Sequence, residues 1–453
     1  MVAKRLHLPP LLPSDKACGL SVRRGKTEGS TMNTVGVGLL GFGNVGSSVY
    51  EITRQRFGVS TSDSSALEVK KILVRDPTRA RSIALPRHLA TTDPAELLTD
   101  PGVQIVVELL GWSGHEPEPA LDLLRRALKA GKHVVTANKR LLAEHGRELC
   151  RMAVDSRVSV WFEASVCGAL PVIRTISESL VAPRVTSLHA ILNGTTNFIL
   201  TRMSRGKIGF DQALCEAQSR GLAEADASWD ISGHDAACKL CILAALLTGV
   251  GARPSHVLTH GISDVQADDV HLAEALGYSV KLVSSLHMEG EVLHLRVRPT
   301  LVPHTHILAR VEDAANAVVI NTDLARQYVL MGEGAGGYPT ACAVIADIIG
   351  AAHSLSSASM PRAQMLLAQS RDTTTSGWPK AREVERLHYL RSASHTLDAL
   401  RSEAHVLLKQ VSRGQRFAAI IGPITTSGLH DVLAAHSIKE AVSLPVLDDG
   451  RYV

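Results

Sequence analysis

Val35-Gly36-Val37-Gly38-Leu39-Leu40-Gly41-Phe42-Gly43-Asn44-Val45-Gly46 is an apolar run that enters a Gly-x-Gly-x-x-Gly turn, and a stretch of helical character, Ser47 to Gln55, follows it. The glycines of such a turn permit a tight bend, and the helix N-terminus faces a pyrophosphate. Placed between a strand and a helix, the motif favours dinucleotide binding over a plain β–α turn. The residues predicted to bind the cofactor here are Gly41, Phe42, Gly43, Asn44, Val45 and Gly46.

Strand and helix patterns alternate after this turn. Val69 to Asp76 and Val103 to Leu110 read as strands, Pro119 to Lys129 has a helical period, and Gly131 to Lys139 is a strand with a polar end. This alternation predicts an α/β fold with a Rossmann-type, doubly wound parallel sheet, whose ligands bind beyond the carboxyl ends of the strands. The dinucleotide-binding domain is predicted over residues 33–170.

The end of the second strand indicates which dinucleotide is preferred. Arg75 stands where a ribose-binding acid is expected, and Arg79 and Arg81 follow it. An arginine there accommodates a 2′-phosphate. We therefore expect NADP(H) to be preferred, with NAD(H) as the alternative because Asp76 is adjacent. The alternative interpretation is a solvated basic loop that binds no ligand.

A second group of polar residues lies between residues 221 and 239. Asp235 and Lys239 are four apart, so on a helix they share one face. Such a pair can hold an ammonium beside a reacting oxygen and pass a proton, while Glu224 and Asp226 can accept from a cationic substrate group. Taken alone the pair is more often a surface salt bridge. Its occurrence together with the nucleotide turn favours catalysis.

Composition excludes other classes of function. The chain has 453 residues, 45% of them hydrophobic and 20% charged, with a net charge of +4. That charge is too small to indicate binding to nucleic acid or to an anionic membrane. The longest apolar run noted, Leu240 to Ala252, is too short to span a bilayer. Seven cysteines, an odd number, favour reduced thiols and a cytoplasmic location.

The first 32 residues show no hydrophobic periodicity and contain Pro9, Pro10 and Pro13. We expect residues 1–32 to be a disordered extension, with Met32 as an alternative start.

Several motifs together resemble homoserine dehydrogenase over roughly residues 33–352. They are Gly41 to Gly46, Val74-Arg75-Asp76, Thr136-Ala137-Asn138-Lys139, Glu163-Ala164-Ser165-Val166, Leu192-Asn193-Gly194-Thr195-Thr196-Asn197, Glu224 to Lys239, and Gly334-Ala335-Gly336-Gly337-Tyr338-Pro339-Thr340. The resemblance implies the reversible, NAD(P)-dependent reduction of aspartate 4-semialdehyde to homoserine, in threonine, methionine and isoleucine biosynthesis. It also implies a homodimer or homotetramer with a small-molecule substrate.

The resemblance further implies residue roles. Lys239 would be the general acid/base, oriented by Asp235, with Lys139 beside the nicotinamide and the substrate. The substrate-binding residues would be Glu224, Asp230, Asp235 and Lys239. The cofactor-binding residues beyond the glycine turn would be Arg75, Thr136, Lys139, Gly221 and Gly334.

A monovalent cation site, for sodium or potassium, is also implied by the resemblance. Its ligands would be Glu163 and the backbone carbonyls of Val166, Gly168 and Leu170, and oxygen ligands suit a hard cation. Cys167 and Ala169 stand where the family has smaller residues. If Ala169 has to adopt a backbone angle that favours glycine, we expect misdirected carbonyls.

The remaining domains follow from the same resemblance. Residues 171–335 are expected to form an α+β substrate-binding and dimerisation domain, and helix 336–352 to complete the nucleotide-binding domain. Residues 353–384 read as a linker with a helix from Pro361 to Gln369. Residues 385–453, with a helical run from Thr396 to Val411, resemble a shortened ACT-like α+β regulatory module. Because it lacks the family's Pro-Gly turn, we expect weak or absent threonine inhibition.

Two other functions are alternatives to the dehydrogenase. An acylating semialdehyde dehydrogenase would use Cys167 as nucleophile and needs a base beside that thiol. A catalytically silent nucleotide- or amino-acid-binding regulator would have lost Lys239, Asp235 or Glu224, and all three are present.

Overall fold

The computed structural model describes residues 34–57, 66–81, 83–110, 118–290, 292–372, 386–392, 407–413, 416–435 and 442–447. The expected extension at residues 1–32 lies outside the described residues, as do residues 396–406 of the expected C-terminal helix.

The first sheet is parallel throughout and has the strand order β3-β2-β1-β4-β5-β6. Its strands are β1 (Val35–Leu40), β2 (Leu67–Leu73), β3 (Ala90–Thr91), β4 (Ile105–Glu108), β5 (His133–Thr136) and β6 (Val160–Trp161). The continuous apolar strands β1 and β4 are fully buried, as expected for a parallel sheet covered on both faces. The predicted Rossmann-type sheet is confirmed.

Helices cover both faces of this sheet. They include α1 (Asn44–Ile52), continued by a π-helical segment (Thr53–Phe57), α2 (Pro94–Leu98), α3 (Glu118–Lys129) and α4 (Lys139–Asp155). Leu124 and Leu141 belong to the core on one side, and Val49 belongs to a separate core on the other. The helical period predicted from Pro119 to Lys129 corresponds to α3.

The second half of the chain has the following elements: α5 (Val172–Arg174), a π-helical segment (Thr175–Ser179), β7 (Val185–Ile191), α6 (Gly194–Gly206), α7 (Phe210–Ser219), α8 (Ser228–Ile231), α9 (His234–Thr248), β8 (Val250–Gly251), β9 (Leu258–Thr259), α10 (Ala267–Ala275), β10 (Tyr278–Glu289), β11 (Val292–Pro303), β12 (Ala315–Thr322) and β13 (Arg326–Glu333). Short 3₁₀ helices are Glu163–Ser165, Pro254–His256 and Ile307–Arg310. The mixed sheet has the order β13-β12-β7-β10-β11-β9.

Helix α9 packs on this mixed sheet and is buried from Asp235 to Leu246. A helix that is buried all round is normally apolar. Asp235 and Lys239 are exceptions on its first two turns, and buried charges persist only when they are paired. The burial of α9 therefore marks these two residues as more than a surface ion pair.

Helix α11 (Gly337–Ser357) returns to the first sheet, where Ala341, Val344 and Ile348 are buried. It is five residues longer than the predicted end at residue 352. With 21 residues and a mean hydropathy of 1.3 over its most apolar window, it is long and apolar enough to cross a membrane. Leu240 to Ala252 is therefore not the longest apolar stretch of the chain, and that expectation is wrong. Its buried residues mark it as a core helix of the nucleotide-binding half.

The expected linker at 353–384 is more structured than a linker where it is described. After α11, helix α12 (Arg362–Gln369) confirms the helix expected from Pro361 to Gln369, and β14 (Arg371–Asp372) pairs with β8. Buried Gln364 accepts from the Val160 amide at 2.9 Å. Residues 353–372 therefore pack onto both halves of the chain. The side-chain amide of Gln364 accepts from β6 of the first sheet, and β14 pairs with β8 of the second half.

The C-terminal module is an antiparallel sheet with the order β16-β17-β15-β18. Its elements are β15 (Arg386–Ser392), β16 (Leu407–Arg413), β17 (Arg416–Ile424), α13 (Thr426–Ala435) and β18 (Val442–Pro445). The helix expected as far as Val411 is wrong from Leu407 onward, because residues 407–413 pair with β17. Arg391 forms a 2.6 Å ion pair with buried Asp269 of α10, which attaches the module to the second half of the chain.

Candidate functional site

The carboxylate of Asp235 lies between two lysines from different halves of the chain. Its Oδ2 accepts from Nζ of Lys239 at 2.8 Å, and its Oδ1 lies 3.1 Å from Nζ of Lys139. Lys239 also donates to the Leu192 carbonyl at 2.7 Å. Lys139 is the first residue of α4, after β5, whereas Asp235 and Lys239 are on α9. The structure thus brings together the three residues for which the family resemblance implies catalytic roles.

Asn193 joins a second carboxylate to this cluster. Its side-chain amide donates to Asp230 Oδ1 at 2.8 Å and to Asp235 Oδ2 at 2.9 Å, and its own Oδ1 accepts the Thr196 amide at 2.8 Å. It therefore caps α6 and orients two acids at once. Sequence reasoning quoted Asn193 only as part of a motif. An asparagine before Gly-Thr-Thr is an N-cap signal that identifies the helix start but not the two acids.

The charges in the cluster shift one another's protonation. Burial alone would raise the pKa of Asp235, but the ammonium groups of Lys239 and Lys139 hold that pKa far below its usual range. Burial and the neighbouring charge of Asp235 raise the pKa of Asp230. The attraction of Asp235 raises the pKa of Lys139. Asp235 is therefore held as an anion between the two lysines, and it favours the ammonium form of Lys139.

A second buried acid supports the start of α4. Glu108, at the end of β4, is fully buried and accepts from the Leu110 amide at 2.9 Å and from Thr136 Oγ1 at 2.6 Å. Burial raises its pKa. Thr136 in turn accepts from the Asn138 amide at 3.1 Å, and Asn138 caps α4 immediately before Lys139. Glu108 was missed by sequence reasoning because it looks like one more residue of a buried strand.

The glycine turn fits a dinucleotide. Gly41 has φ +104°, and a Cβ there would lie 2.6 Å from the Leu109 carbonyl oxygen. A Cβ at Gly46 would lie 2.5 Å from the Gly41 carbonyl oxygen, so both positions need glycine for packing within the protein. A Cβ at Gly43 meets nothing within 4 Å. The space above Gly43, at the N-cap of α1, is where the backbone of such motifs approaches a pyrophosphate.

Arg75 and Asp76 follow β2 on the surface. Asp76 Oδ1 accepts from the amide and the hydroxyl of Thr78 at 2.7 and 2.6 Å. These hydrogen bonds lower the pKa of Asp76. Arg75 is exposed, and Arg81 donates to the Asp76 carbonyl oxygen. The loop after β2 thus exposes Arg75 to solvent, while the carboxylate of Asp76 already accepts two hydrogen bonds from Thr78.

Three predicted residues are not in contact with the cluster. Glu224 is exposed, and within the described part of the chain no hydrogen bond or ion pair joins its carboxylate to Lys239. Gly221 has φ +70° and follows the end of α7, where its amide donates to the Gln218 carbonyl and so terminates the helix. Gly334 packs against Asn316, whose Oδ1 would lie 1.2 Å from an added Cβ.

The expected cation loop has an unusual backbone. Cys167 and Gly168 have φ +57° and +51°, whereas Ala169 is not among the described residues with positive φ. The strain that we expected at Ala169 is therefore at Cys167 instead. The Leu170 carbonyl accepts from the Val172 amide at 2.8 Å.

Glu163 is already held by protein donors. Its carboxylate accepts from the Ile173 and Arg174 amides at 2.8 and 2.9 Å, and the Arg174 guanidinium lies 3.7 Å away. Its own amide donates to Asp347. Burial raises the pKa of Glu163 to about 7. The donor set is oxygen-rich, which suits a hard cation, but Arg174 already supplies positive charge beside it.

Cys167 is unsuited to nucleophilic attack. The side chain is fully buried, and burial raises the pKa of the thiol to about 12. A nucleophilic cysteine needs a lowered pKa and access to substrate. The geometry therefore argues against the rival acylating chemistry.

Comparisons with known proteins identify the family of the chain. A model of the homoserine dehydrogenase NAD-binding domain matches residues 41–163, and a homoserine dehydrogenase model matches residues 171–349. The homoserine dehydrogenase of Neisseria gonorrhoeae is 35% identical over 410 residues, which are 90% of this chain and 93% of that enzyme. The one from Bacillus subtilis is 38% identical and covers 70% of this chain and 73% of its own length.

Solved structures are similar as well. A homoserine dehydrogenase from Thiobacillus denitrificans has a TM-score of 0.80 and 32% identity, and covers 92% of this chain and 99% of its own. A hyperthermophilic archaeal homoserine dehydrogenase, solved in complex with NADPH, has a TM-score of 0.60 and 29% identity, and covers 71% of this chain and 98% of its own.

Proposed function

The chain belongs to the homoserine dehydrogenase family and is an NAD(P)-dependent oxidoreductase that interconverts aspartate 4-semialdehyde and homoserine, and from this premise we propose that Lys239 transfers the proton. When bound, the nicotinamide supplies or accepts the hydride. The observation that carries the proposal is the geometry of Lys239. An ammonium has three N–H donors, of which Asp235 and the Leu192 carbonyl take two. The third is left for the substrate oxygen.

Asp235 is proposed as the group that orients both lysines. Because one oxygen faces each ammonium, the anion fixes two donors relative to one another without becoming protonated itself. Negative charge that develops on the substrate oxygen during reduction is stabilised by ammonium groups that are already in place. In the reverse direction, Lys239 has to accept the hydroxyl proton of homoserine.

The substrate ammonium is proposed to bind Asp230 and Glu224. Asp230 is half-buried beside Asp235, so a cation at Asp230 offsets the repulsion between the two acids. Glu224 is exposed on the loop before α8, where its carboxylate is accessible to a cationic substrate group.

The cofactor is proposed to be NADP(H) in preference to NAD(H). The exposed guanidinium of Arg75 can pair with a 2′-phosphate. Asp76, the residue that would accept from a ribose hydroxyl, already accepts from Thr78 twice. The NADPH complex of the archaeal relative is consistent with this preference. The remainder of the cofactor would be bound by Gly41 to Gly46, Thr136 and Lys139. Gly221 and Gly334 are also proposed to bind the cofactor.

A monovalent cation is retained in the proposal, bound by Glu163 and the carbonyls of Val166, Gly168 and Leu170. The buried carboxylate of Glu163, close in sequence to these carbonyls, supports it because oxygen ligands suit a hard cation. A homodimer or homotetramer is supported by the exposed Val329 and Met331 of edge strand β13.

Two further parts of the proposal concern regulation and location. The sheet order of the C-terminal module, with α13 between β17 and β18, supports an ACT-like domain. Weak threonine inhibition stays a prediction, since the first loop of that domain lies outside the described residues. A cytoplasmic location is supported by the six free cysteines of the described residues.

One assay tests the cofactor and cation together. Homoserine-dependent reduction of NAD⁺ and of NADP⁺ is followed at the nicotinamide absorbance, with potassium, sodium or a large organic cation at constant ionic strength. We expect a lower KM for NADP⁺, and Arg75→Gln should raise that KM by about tenfold while leaving the KM for NAD⁺ nearly unchanged. Equal KM values in the unmodified enzyme would contradict the preference, and equal rates in all three salts would remove the cation.

A further inference from the structure

A stack of three side chains lies beside the catalytic cluster. The guanidinium carbon of Arg140 is 5.2 Å from the centroid of the Trp229 ring. The Trp229 ring stacks on the imidazole of His234, with centroids 5.4 Å apart and planes inclined by 29°. A cation within about 6 Å of a tryptophan face is attracted by the ring. The stack therefore joins α4 of the nucleotide-binding half to α8 and α9 of the substrate half.

Every member of the stack is the chain neighbour of a residue in the cluster. The neighbouring pairs are Lys139 and Arg140, Trp229 and Asp230, and His234 and Asp235. Two contacts therefore cross between the halves side by side, on the same elements. One is the ion pair of Lys139 with Asp235, and the other is the stack. A displacement of α4 from α8 and α9 would break both together.

The members of the stack are themselves held in place. Arg140 Nε lies 3.3 Å from Glu144 Oε1, one turn further along α4, which balances a second positive charge next to Lys139. Nδ1 of His234 lies 2.6 Å from Ser232 Oγ, which fixes the imidazole. The stack is therefore oriented from both sides.

Lys139 is the less constrained of the two lysines. Its side chain is 38% exposed, whereas that of Lys239 is 11% exposed and donates to two protein acceptors. A lysine side chain has four rotatable bonds, so one ion pair alone holds it loosely. Helix α4 packs along α9, and the position of its first turn decides whether Lys139 reaches Asp235.

We propose that the stack of Arg140, Trp229 and His234 positions Lys139 on Asp235 by keeping α4 against α8 and α9. The three are positioning residues and touch neither substrate nor cofactor in this role. The inference rests on the proposed function, since it requires Lys139 to work at the reacting centre.

The test compares Trp229→Leu with Trp229→Phe by steady-state kinetics for homoserine and NADP⁺. The leucine removes the aromatic face, and we expect about a three- to tenfold fall in kcat/KM, carried mainly by kcat. The phenylalanine keeps a face for Arg140 and should restore most of the activity. Arg140→Gln removes the cation and should show the same fall in kcat/KM as Trp229→Leu. The proposal can therefore still be tested if Trp229→Leu does not fold.

A matched control removes a cation–π contact elsewhere. Lys409 Nζ lies 5.2 Å from the Tyr278 ring centroid, between the C-terminal module and the substrate half. Lys409→Met should keep the unmodified kcat and KM. A comparable loss in that variant would mean that the Trp229 result reports general destabilisation, which overturns the positioning role.

A double-mutant cycle with Lys139→Gln separates this inference from the proposed function. If the stack acts through Lys139, Trp229→Leu adds no further loss of kcat/KM to the residual activity of Lys139→Gln. Additive losses, or full activity of both Trp229→Leu and Arg140→Gln, overturn the stack and leave Lys139 in its role. Full activity of Lys139→Gln overturns the role of Lys139 and, with it, the inference.

Discussion

Nζ of Lys139 lies 3.1 Å from Oδ1 of Asp235, and this ion pair joins the first residue of a nucleotide-domain helix to the first turn of the buried helix α9. The opposite oxygen of Asp235 holds Lys239. The catalytic arrangement therefore exists only while the two halves of the chain are in contact. In the proposed function, a substrate bound between them would meet two ammonium groups that share a single anion.

Replacing Lys239 by methionine should lower kcat by at least a hundredfold, because the proton donor is removed while the apolar stem is kept. The dissociation constant for NADP⁺, measured by fluorescence titration, should change by less than about threefold, since the nucleotide turn is separate. Asp235 keeps Lys139 as a partner, so the fold should survive. Loss of cofactor binding alongside activity would indicate a structural ion pair instead.

Lys239→Arg is the companion to that experiment. Arginine keeps a positive charge beside Asp235 but does not release a proton near neutral pH, because its pKa exceeds about 12. We expect a thermal stability close to that of the unmodified enzyme together with a kcat as low as that of Lys239→Met. Recovery of kcat in the arginine variant would show that charge alone is needed and that proton transfer occurs elsewhere.

Asn193→Ser should separate helix capping from orientation of the acids. Serine still caps α6, so the capping contribution to the free energy of unfolding should be nearly unchanged. The amide donors to Asp230 and Asp235 are lost, and each was a hydrogen bond to a charged group. We expect kcat/KM to fall about tenfold, with a higher KM for homoserine. Asp93→Ser alters the cap of α2 instead and should leave the kinetics unchanged.

The sequence alone was sufficient for contacts within one element. The spacing of Asp235 and Lys239 predicts a shared helix face, and the structure has their charged groups 2.8 Å apart. The Gly-x-Gly-x-x-Gly turn likewise predicts the first β–α unit. No spacing rule could place Lys139 on Asp235, because that contact depends on how two domains pack. The resemblance to a known family implied only that Lys139 lies beside the nicotinamide and the substrate, and the contact with Asp235 is a finding of the structure.

The errors have a common physical origin. Residues 407–411 were predicted as part of a helix, yet Lys409 to Arg413 pair with β17, and pairing within a sheet outweighs weak local preference. Glu108 was passed over because a lone acid in an apolar strand gives no sign of the Thr136 hydroxyl that it will meet. Such partners are distant in sequence and are fixed only by tertiary structure.

Cys167→Ala should retain most of the kcat, because the buried thiol is not a nucleophile in the proposed reaction. Alanine is smaller, so a modest loss of stability is expected from the cavity, about 1–2 kcal/mol. Activity is measured with homoserine and NADP⁺ in the absence of phosphate and coenzyme A. Complete inactivation of a folded Cys167→Ala variant would revive the acylating alternative.

Lys281, which is outside the catalytic cluster, should make stability depend on pH. Its Nζ donates to the Val311 carbonyl at 2.5 Å and to Asn197 Oδ1 at 3.1 Å, and burial lowers its pKa to about 8. The charged groups that face it are Glu312, Arg205 and Asp313. Because the folded state disfavours the ammonium form, the charge of Lys281 costs stability wherever it is retained.

The sign follows from proton binding. Below pH 8 both the folded and the unfolded chain carry the Lys281 proton, and the penalty is fully present. Between about 8 and the ordinary lysine value of 10.5, the unfolded chain binds more protons, so stability rises with pH. Relative to Lys281→Met, the free energy of unfolding of the unmodified enzyme should therefore increase by about 3 kcal/mol across that interval. Urea denaturation of both proteins at pH 7.5, 9 and 10.5 measures the difference. A difference that stays constant with pH would show that the folded enzyme keeps Lys281 charged at no cost.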